Sequence, residues 1–247
     1  MSGRNLNAAD FTPAVDDVFE RIARRYDVLC DLFSLGIHRL WKQRVARLIA
    51  TYPWQNMMDA AAGTGDIALR VLQHDPRLAE RTIVVTDLSP AMLEMAERKA
   101  NRRSLRCDFR VLDAHAMPKV PDASVDLYSI SLGLKICDRS RVMAEAHRVL
   151  RPGGRFISLE ASAITLPWLH ALYLAYMSVC MPTIGWLATG GDASAYHYLL
   201  KGVRDFPDAE RLAAELRDAG FEDVEFERLS LGIVAIHSAR KPAHVRT

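Results

Sequence analysis

The strongest chemical signal in the chain is an acid and glycine run, Asp59-Ala60-Ala61-Ala62-Gly63-Thr64-Gly65-Asp66, set between an apolar stretch and a helix-forming one. Glycines at such a bend let the backbone turn tightly and approach a ligand that a Cβ would repel. The helix that follows presents unpaired N–H groups at its start. Gly63, Gly65 and Ala68 also satisfy the G-x-G-x-x-G/A pattern of dinucleotide sites, and Asp87 falls about where that pattern places its ribose-binding acid. On the glycines alone NAD and S-adenosylmethionine both fit, and so does a tight turn with no ligand.

Three acids move the balance toward S-adenosylmethionine. Asp59 lies four residues before Gly63, where a carboxylate can face the cationic amino-acid end of that cofactor; a pyrophosphate gains nothing from the charge. Asp87-Leu88 closes the second strand stretch, and Asp87 suits a bidentate bond to ribose hydroxyls. Asp113-Ala114 closes the third, where a side-chain oxygen can accept from an adenine amine. Any one of these acids also reads as a helix cap. Together they suit a cofactor that is cationic at sulfur and has no phosphate.

The acids need strand ends to hold them, and the pattern supplies these. Met57–Ala62, Thr82–Val85 (running on to Asp87), Phe109–Leu112, Val125–Ser131 and Arg155–Glu160 read as strands that alternate with helical stretches. Ser89-Pro90 starts one helix, Asp138 caps another, and Pro152-Gly153-Gly154 turns into the fifth strand. This βαβ rhythm predicts a parallel sheet with helices on both faces. Pro207 opens a helix that Gly220 ends, and Val224–Leu229 and Ile233–His237 then pair antiparallel. The expected fold is α/β and Rossmann-like, with a mostly parallel seven-stranded sheet. Two helices, Asp16–Leu32 and Ile37–Tyr52, precede the first strand. The expected organisation is a flexible tail 1–15, an N-terminal helical lid 16–53, a core of 54–161 and 204–238, a helical cap 162–203 and a tail 239–247.

Composition narrows the partners. A net charge of +2 over 247 residues is too small to make nucleic acid the main partner, and Arg98, Lys99, Arg102, Arg103 and Arg106 read as a solvated helix face. Cys30, Cys107, Cys137 and Cys180 form no CxxC pair and have no His at zinc spacing, so reduced, mostly buried thiols, no metal and a cytoplasmic location are expected. Met1–Asp10 lacks the apolar core of a secretory signal. Ile164–Ala188 carries no Asp, Glu, Lys or Arg, which is long enough to span a bilayer. Pro167, Pro182 and Gly185 are expected to break that run, with His170 inside it, so it reads as cap helices. These would line a greasy pocket, rest peripherally on the inner membrane face, or offer a homodimer surface.

With these motifs in place the chain resembles the class I methyltransferases, and more narrowly the ubiquinone/menaquinone biosynthesis C-methyltransferases. The resemblance covers residues 16–238 and is carried by Val18-Phe19 through Tyr26-Asp27, Ser34-Leu35-Gly36-Ile37-His38-Arg39-Leu40-Trp41-Lys42, Gly63-Thr64-Gly65-Asp66 and Arg148-Val149-Leu150-Arg151-Pro152-Gly153-Gly154. Tyr196 to Leu199, Phe206-Pro207, Ala219-Gly220-Phe221 and Gly232-Ile233-Val234-Ala235-Ile236-His237 complete it. It implies S-adenosyl-L-methionine as cofactor, with contacts at Thr64, Asp87, Asp113-Ala114 and Ser131. It also implies N-terminal helices that close over the site with Tyr26 and Asp27, and a small apolar phenolic or quinol acceptor with an isoprenoid character.

The chain departs from that family's usual pattern. Asp113 stands where Asn is usual, and Leu132-Gly133-Leu134-Lys135-Ile136 replaces Phe-Gly-Leu-Arg-Asn. Lys keeps the positive charge but loses the planar fork, and Ile cannot hydrogen-bond. Ring C-methylation needs an aligned displacement and an electron-rich, deprotonated phenol. Lys135 is the candidate to stabilise a phenolate, and Tyr26 or Asp27 the candidate proton relay. His170 and His197 are further candidate bases, and Trp168, Tyr173, Tyr176 and Trp186 candidate pocket aromatics. A methyltransferase of the same build with another apolar acceptor, methylated at C, O or N, stays open. So do an NAD-dependent oxidoreductase and an inactive cofactor-binding partner protein.

Overall fold

The computed structural model describes residue 23, residues 26–189 and residues 194–243. The expected tail 1–15 and the first part of the lid helix lie outside the described residues. Seven strands form one sheet in the order β3-β2-β1-β4-β5-β7-β6. They are β1 Asn56–Ala60, β2 Thr82–Asp87, β3 Asp108–Val111, β4 Val125–Ser131, β5 Leu150–Ala161, β6 Glu222–Leu229 and β7 Val234–Arg240. β1 pairs in parallel with β2 and β4, and only β7 runs against its neighbours β5 and β6. Strand order reverses between β1 and β4, and the crevice outside the carboxyl ends of such a pair is where open α/β sheets take ligands.

Eight α-helices occupy the described residues: α1 Tyr26–Ser34, α2 His38–Thr51, α3 Asp66–His74, α4 Pro90–Arg102, α5 Arg139–Val149, α6 Pro167–Thr189, α7 Ser194–Asp205 and α8 Ala209–Asp218. The central strands are apolar on both faces because both are covered. One core joins Met57 and Ile83 to Val45 and Ile49 of α2 and Val71 of α3, and the other joins Met58 and Tyr128 to Val142 of α5 and Leu212 of α8. The caps follow the sequence signals. Ser89 accepts from Met92 N ahead of Pro90, Asp138 accepts from Ser140 N and Arg141 N, and Asp208, one residue past Pro207, caps α8.

Four expectations need correction. Pro182 and Gly185 do not break the apolar run: α6 is one helix of 23 residues with Pro182 inside it. Pro costs a helix roughly 3 kcal/mol, and packing offsets this, with Met177 and Met181 buried against Leu200, Phe33 and Tyr173. Among the described residues no helix is long and apolar enough to cross a membrane. The fifth strand begins at Leu150, since Gly153 N donates to Lys241 O and Lys241 N donates to Gly154 O, extending the ladder through the expected turn. The four free thiols are half-buried: Cys30 and Cys137 line a cavity, and Cys107 and Cys137 pack at the margins of the two cores. Lys99 is no solvated residue: its side chain is 12 % exposed and ion-paired to Asp27 and Asp66.

Candidate active site

The chain leaves β1 through a bend with Ala61, Gly63 and Gly65 all at positive φ. At Gly65, φ +74°, an added Cβ would stand 2.9 Å from Ala96 Cβ of α4. Asp87, at the tip of β2, stitches this bend in place: its carboxylate accepts from Gly63 N at 2.7 Å and from Ser89 N at 2.9 Å. Asp59 is 1 % exposed and accepts from Ser129 Oγ at 2.7 Å and Ala68 N at 3.2 Å. Burial pushes its carboxyl up to about 6 against those two bonds. Asp113, beyond β3, accepts from the backbone N and the ring Nδ1 of His115, whose Nε2 in turn accepts from Asp138 N. Ser131 Oγ, at the tip of β4, is buried with no hydrogen-bond partner among the described residues.

These strand tips open into a cavity of about 570 Å³. Asp59, Gly63, Thr64, Asp87, Leu88, Asp113, Ala114 and Ser131 all line it, so the structure brings the sequence-predicted cofactor residues together at one wall; Gly65 stands behind the bend. Phe33, Tyr173, Tyr176, Met177 and Met181 add an apolar lining from α1 and α6. Trp168 and Trp186, expected beside those tyrosines, instead point outward at 67 % and 54 % exposure. A helix with no charged side chain has two apolar faces, and only one of them can turn inward. His170 accepts from Ile164 N and does not line the cavity. The side chain of His197 lies outside the described residues.

The candidate catalytic residues separate. Tyr26 lines the cavity, with its ring 4.0 Å from where a Cβ on Gly63 would stand. The Cys30 thiol, burial and the Asp87 and Asp27 carboxylates push its phenol well above the ordinary value, so Tyr26 is a donor. Asp27 does not line the cavity. Its carboxylate accepts from Thr64 Oγ1 at 2.8 Å and pairs with Lys99. Lys99 also reaches Thr64 Oγ1 and Asp66, and Lys42 bonds Asp66 at 2.9 Å. Burial alone would push the Asp66 carboxyl up, but the two lysines outweigh it and hold the group far below the usual carboxylate range.

Lys135 lines the cavity and donates from Nζ to Leu132 O. Burial lowers its pKa, opposed by the nearby Glu160 carboxylate. Glu160, fully buried in β5, accepts from Gly133 N and Leu134 N at 2.8 Å each and so holds the loop that carries Lys135. Burial pushes its carboxyl up to about 7 against Lys135 and those N–H groups. The sequence names Glu160 only as the last residue of a strand, yet it is signalled by the same rule that found Asp87 and Asp113, an acid near a strand end. His38 and His115 are also cavity-lining residues that the sequence reading did not single out for chemistry.

A family model described as the ubiE/COQ5 methyltransferase family matches residues 6–241. The chain belongs to that family. It is therefore an S-adenosylmethionine-dependent methyltransferase, and the NAD-dependent alternative falls. Among similar proteins, the ubiquinone/menaquinone biosynthesis C-methyltransferase UbiE of Acidiphilium cryptum is 42 % identical, over 91 % of this chain and 89 % of the relative. The mitochondrial 2-methoxy-6-polyprenyl-1,4-benzoquinol methylase of Arabidopsis thaliana is 38 % identical, over 92 % and 84 %. Among solved structures, a SAM-dependent methyltransferase of Thermotoga maritima matches with a TM-score of 0.63 at 18 % identity, over 92 % of this chain and 99 % of that one. The [4+2]-cyclase SpnF matches at 0.60 and 22 %, over 82 % and 81 %. At such identities the structural likeness is one of fold alone.

Proposed function

We propose that this methyltransferase seats S-adenosylmethionine along the tips of β1 to β4 and methylates a ring carbon of an apolar quinol with an isoprenoid tail, the acceptor chemistry named for its relatives. The observation that carries this reading is a single cavity lined both by the strand-end acids and by the apolar side chains of α1 and α6. Donor and acceptor in one chamber is what an in-line displacement requires.

The residues present fit the cofactor. The bend at Gly63 allows close backbone approach, and Ser131 Oγ is a buried polar atom that a ligand can satisfy. Carboxylate oxygens accept more than one hydrogen bond each, so Asp87 can hold ribose hydroxyls while it holds the bend. Asp113, oriented by His115, receives the adenine amine beside Ala114 and Leu88. Asp59 and Thr64 face the amino-acid end. Bound S-adenosylmethionine supplies an electrophilic methyl group on a sulfonium. The protein's part is to exclude water with α1 and α6, and to stabilise negative charge on the acceptor oxygen with Lys135. Ile136 lines the same cavity, which favours an acceptor face without a hydrogen-bonding group at that point.

The deciding experiment uses S-adenosylmethionine labelled in the methyl group and a reduced, short-chain polyprenyl benzoquinol. Mass spectrometry should find the label on a ring carbon. Failure to bind S-adenosylhomocysteine by calorimetry, or label carried on oxygen, would overturn the reading.

A further inference from the structure

Nothing described so far removes a proton from the acceptor. Tyr26 is held as a neutral donor, Asp27 lies outside the cavity, and Lys135 Nζ is engaged as a donor to Leu132 O. The first residue of α2 supplies what is missing. His38 is 4 % exposed and lines the cavity together with Cys30, Ser34 and Lys42. Ser34 Oγ lies 2.7 Å from the backbone oxygen of Cys30 and 2.7 Å from His38 Nδ1. A carbonyl oxygen only accepts, so the one Ser34 hydroxyl proton goes to Cys30 O. His38 must then donate from Nδ1 into the remaining lone pair on Ser34 Oγ. That fixes the tautomer and leaves Nε2 as a bare lone pair. The Asp31 carboxylate, 3.8 Å from Nδ1, favours the same arrangement.

We infer that His38 is the general base of the methyl transfer, accepting through Nε2 the hydroxyl proton of the acceptor ring. This rests on the function proposed above. Burial, the charge of Lys42 and, more weakly, Arg39 lower the imidazole pKa to about 4, with Asp31 and Asp66 opposing them. The helix N-terminus at which His38 stands acts in the same direction as burial. The ring is accordingly neutral near pH 7 but a weak base while the site is empty, and it gains proton affinity only when negative charge develops on an acceptor oxygen beside it. Proton transfer then leaves an imidazolium beside a phenolate, an opposite-charge pair in a site of low dielectric. Lys42 and Lys135 stand where they favour the phenolate.

The step balances. The O–H bond pair becomes a phenolate lone pair, which is delocalised to the ring carbon. That carbon's pair forms the C–CH₃ bond while the S–CH₃ pair returns to sulfur. The ring C–H pair restores aromaticity as its proton leaves, the one net proton that the reaction releases to bulk solvent, and His38 returns the hydroxyl proton to the product oxygen.

His38→Asn tests this, because its amide can keep the donation to Ser34 while Nε2 is lost; His38→Gln serves if the Asn variant does not bind S-adenosylhomocysteine. Expected is a kcat lower by about 10²–10³-fold, S-adenosylhomocysteine affinity within about twofold, and a loss that shrinks as substituents away from the reacting carbon make the phenol more acidic. A second readout needs no turnover. With S-adenosylhomocysteine bound, a nitrophenol probe should show phenolate absorbance on the wild type below its solution pKa, and remain protonated on the variant. A kcat within about threefold of wild type, a loss equal for all phenols, or identical spectra would remove His38 from this role while leaving the proposed function standing. A wild type that methylates no phenolic acceptor would remove both.

Discussion

Thr64 on the glycine bend donates to the Asp27 carboxylate of α1 at 2.8 Å, so the helix that covers the cavity is tied to the loop that forms its floor. Lys99 binds the same two groups from α4. Asp27→Ala cuts the tie from one side only and leaves Lys99 still bonded to Thr64 and Asp66, so no buried charge is orphaned. Asp27 is partly exposed, and such pairs contribute about 1 kcal/mol or less to folding, so Tm should barely move. Cofactor binding should suffer more, because α1 no longer closes as readily. An S-adenosylhomocysteine affinity about tenfold weaker, or about 1.4 kcal/mol, is expected by calorimetry. Equal affinities would show that the tie does not couple the helix to the site.

What the sequence made legible was the part governed by local chemistry. Gly63, Gly65, Asp87 and Asp113 announce themselves because a bend and a strand end need those residue types whatever surrounds them. Glu160 obeyed the same rule and was missed because it closes a strand rich in apolar residues, where an acid reads as the strand's exit. Lys99 sat in a basic run, and only the arrival of Asp27 and Asp66 from α1 and α3 shows that it faces inward. Pro182 is the converse case: a strong local breaker overridden by packing against α7 and α1 that no local pattern reports. His38 was visible only as one letter of a motif, since its meaning depends on Ser34 one turn earlier and on a cavity that exists only once the chain has folded.

Gly65 offers a test of the bend itself. Its φ of +74° disfavours any side chain, and a Cβ would meet Ala96 Cβ at 2.9 Å. Left-handed strain and overpacking each cost on the order of 1–3 kcal/mol. Gly65→Ala should therefore lower stability in a urea titration by at least about 2 kcal/mol, while Gly153→Ala, which meets nothing within 4 Å, should lose only the conformational part. Similar losses for the two would disprove the role given to α4 contact.

Asp87 carries two duties, holding Gly63 N and Ser89 N and receiving the ribose. Asp87→Ala removes the charge-assisted acceptors of both, each bond contributing about 1.5–3 kcal/mol. Binding of S-adenosylhomocysteine should weaken by at least about 100-fold. A dissociation constant within threefold of wild type would show that the ribose lies elsewhere.

Lys135→Met keeps the bulk of the buried stem and removes the charge. Methyl transfer should slow by about 10²-fold, the scale of losing one oxyanion donor, with S-adenosylhomocysteine affinity nearly unchanged. The ratio of kcat loss to affinity loss is the measurement that matters. A wild-type kcat would leave Lys135 a structural partner of Leu132 O and nothing more.

Glu160 predicts a pH dependence of stability. Its folded value of about 7 lies above the ordinary 4.5, because burial without a partner for Oε2 disfavours the charge. Between those two values the unfolded chain has released its proton while the folded chain retains it. Stability from this group is therefore fully present below about pH 4.5 and is lost as pH rises through 7, by about 3 kcal/mol at most. Asp59, raised to about 6, contributes with the same sign at lower pH in both proteins compared here. Glu160→Gln keeps an oxygen for Gly133 N and Leu134 N and cannot ionise. Its Tm should consequently fall less than that of the wild type between pH 5 and pH 8, whatever the offset between the two curves. Parallel curves across that range would mean that Glu160 does not change its protonation there, and that the loop carrying Lys135 is held by the same charged carboxylate at every pH tested.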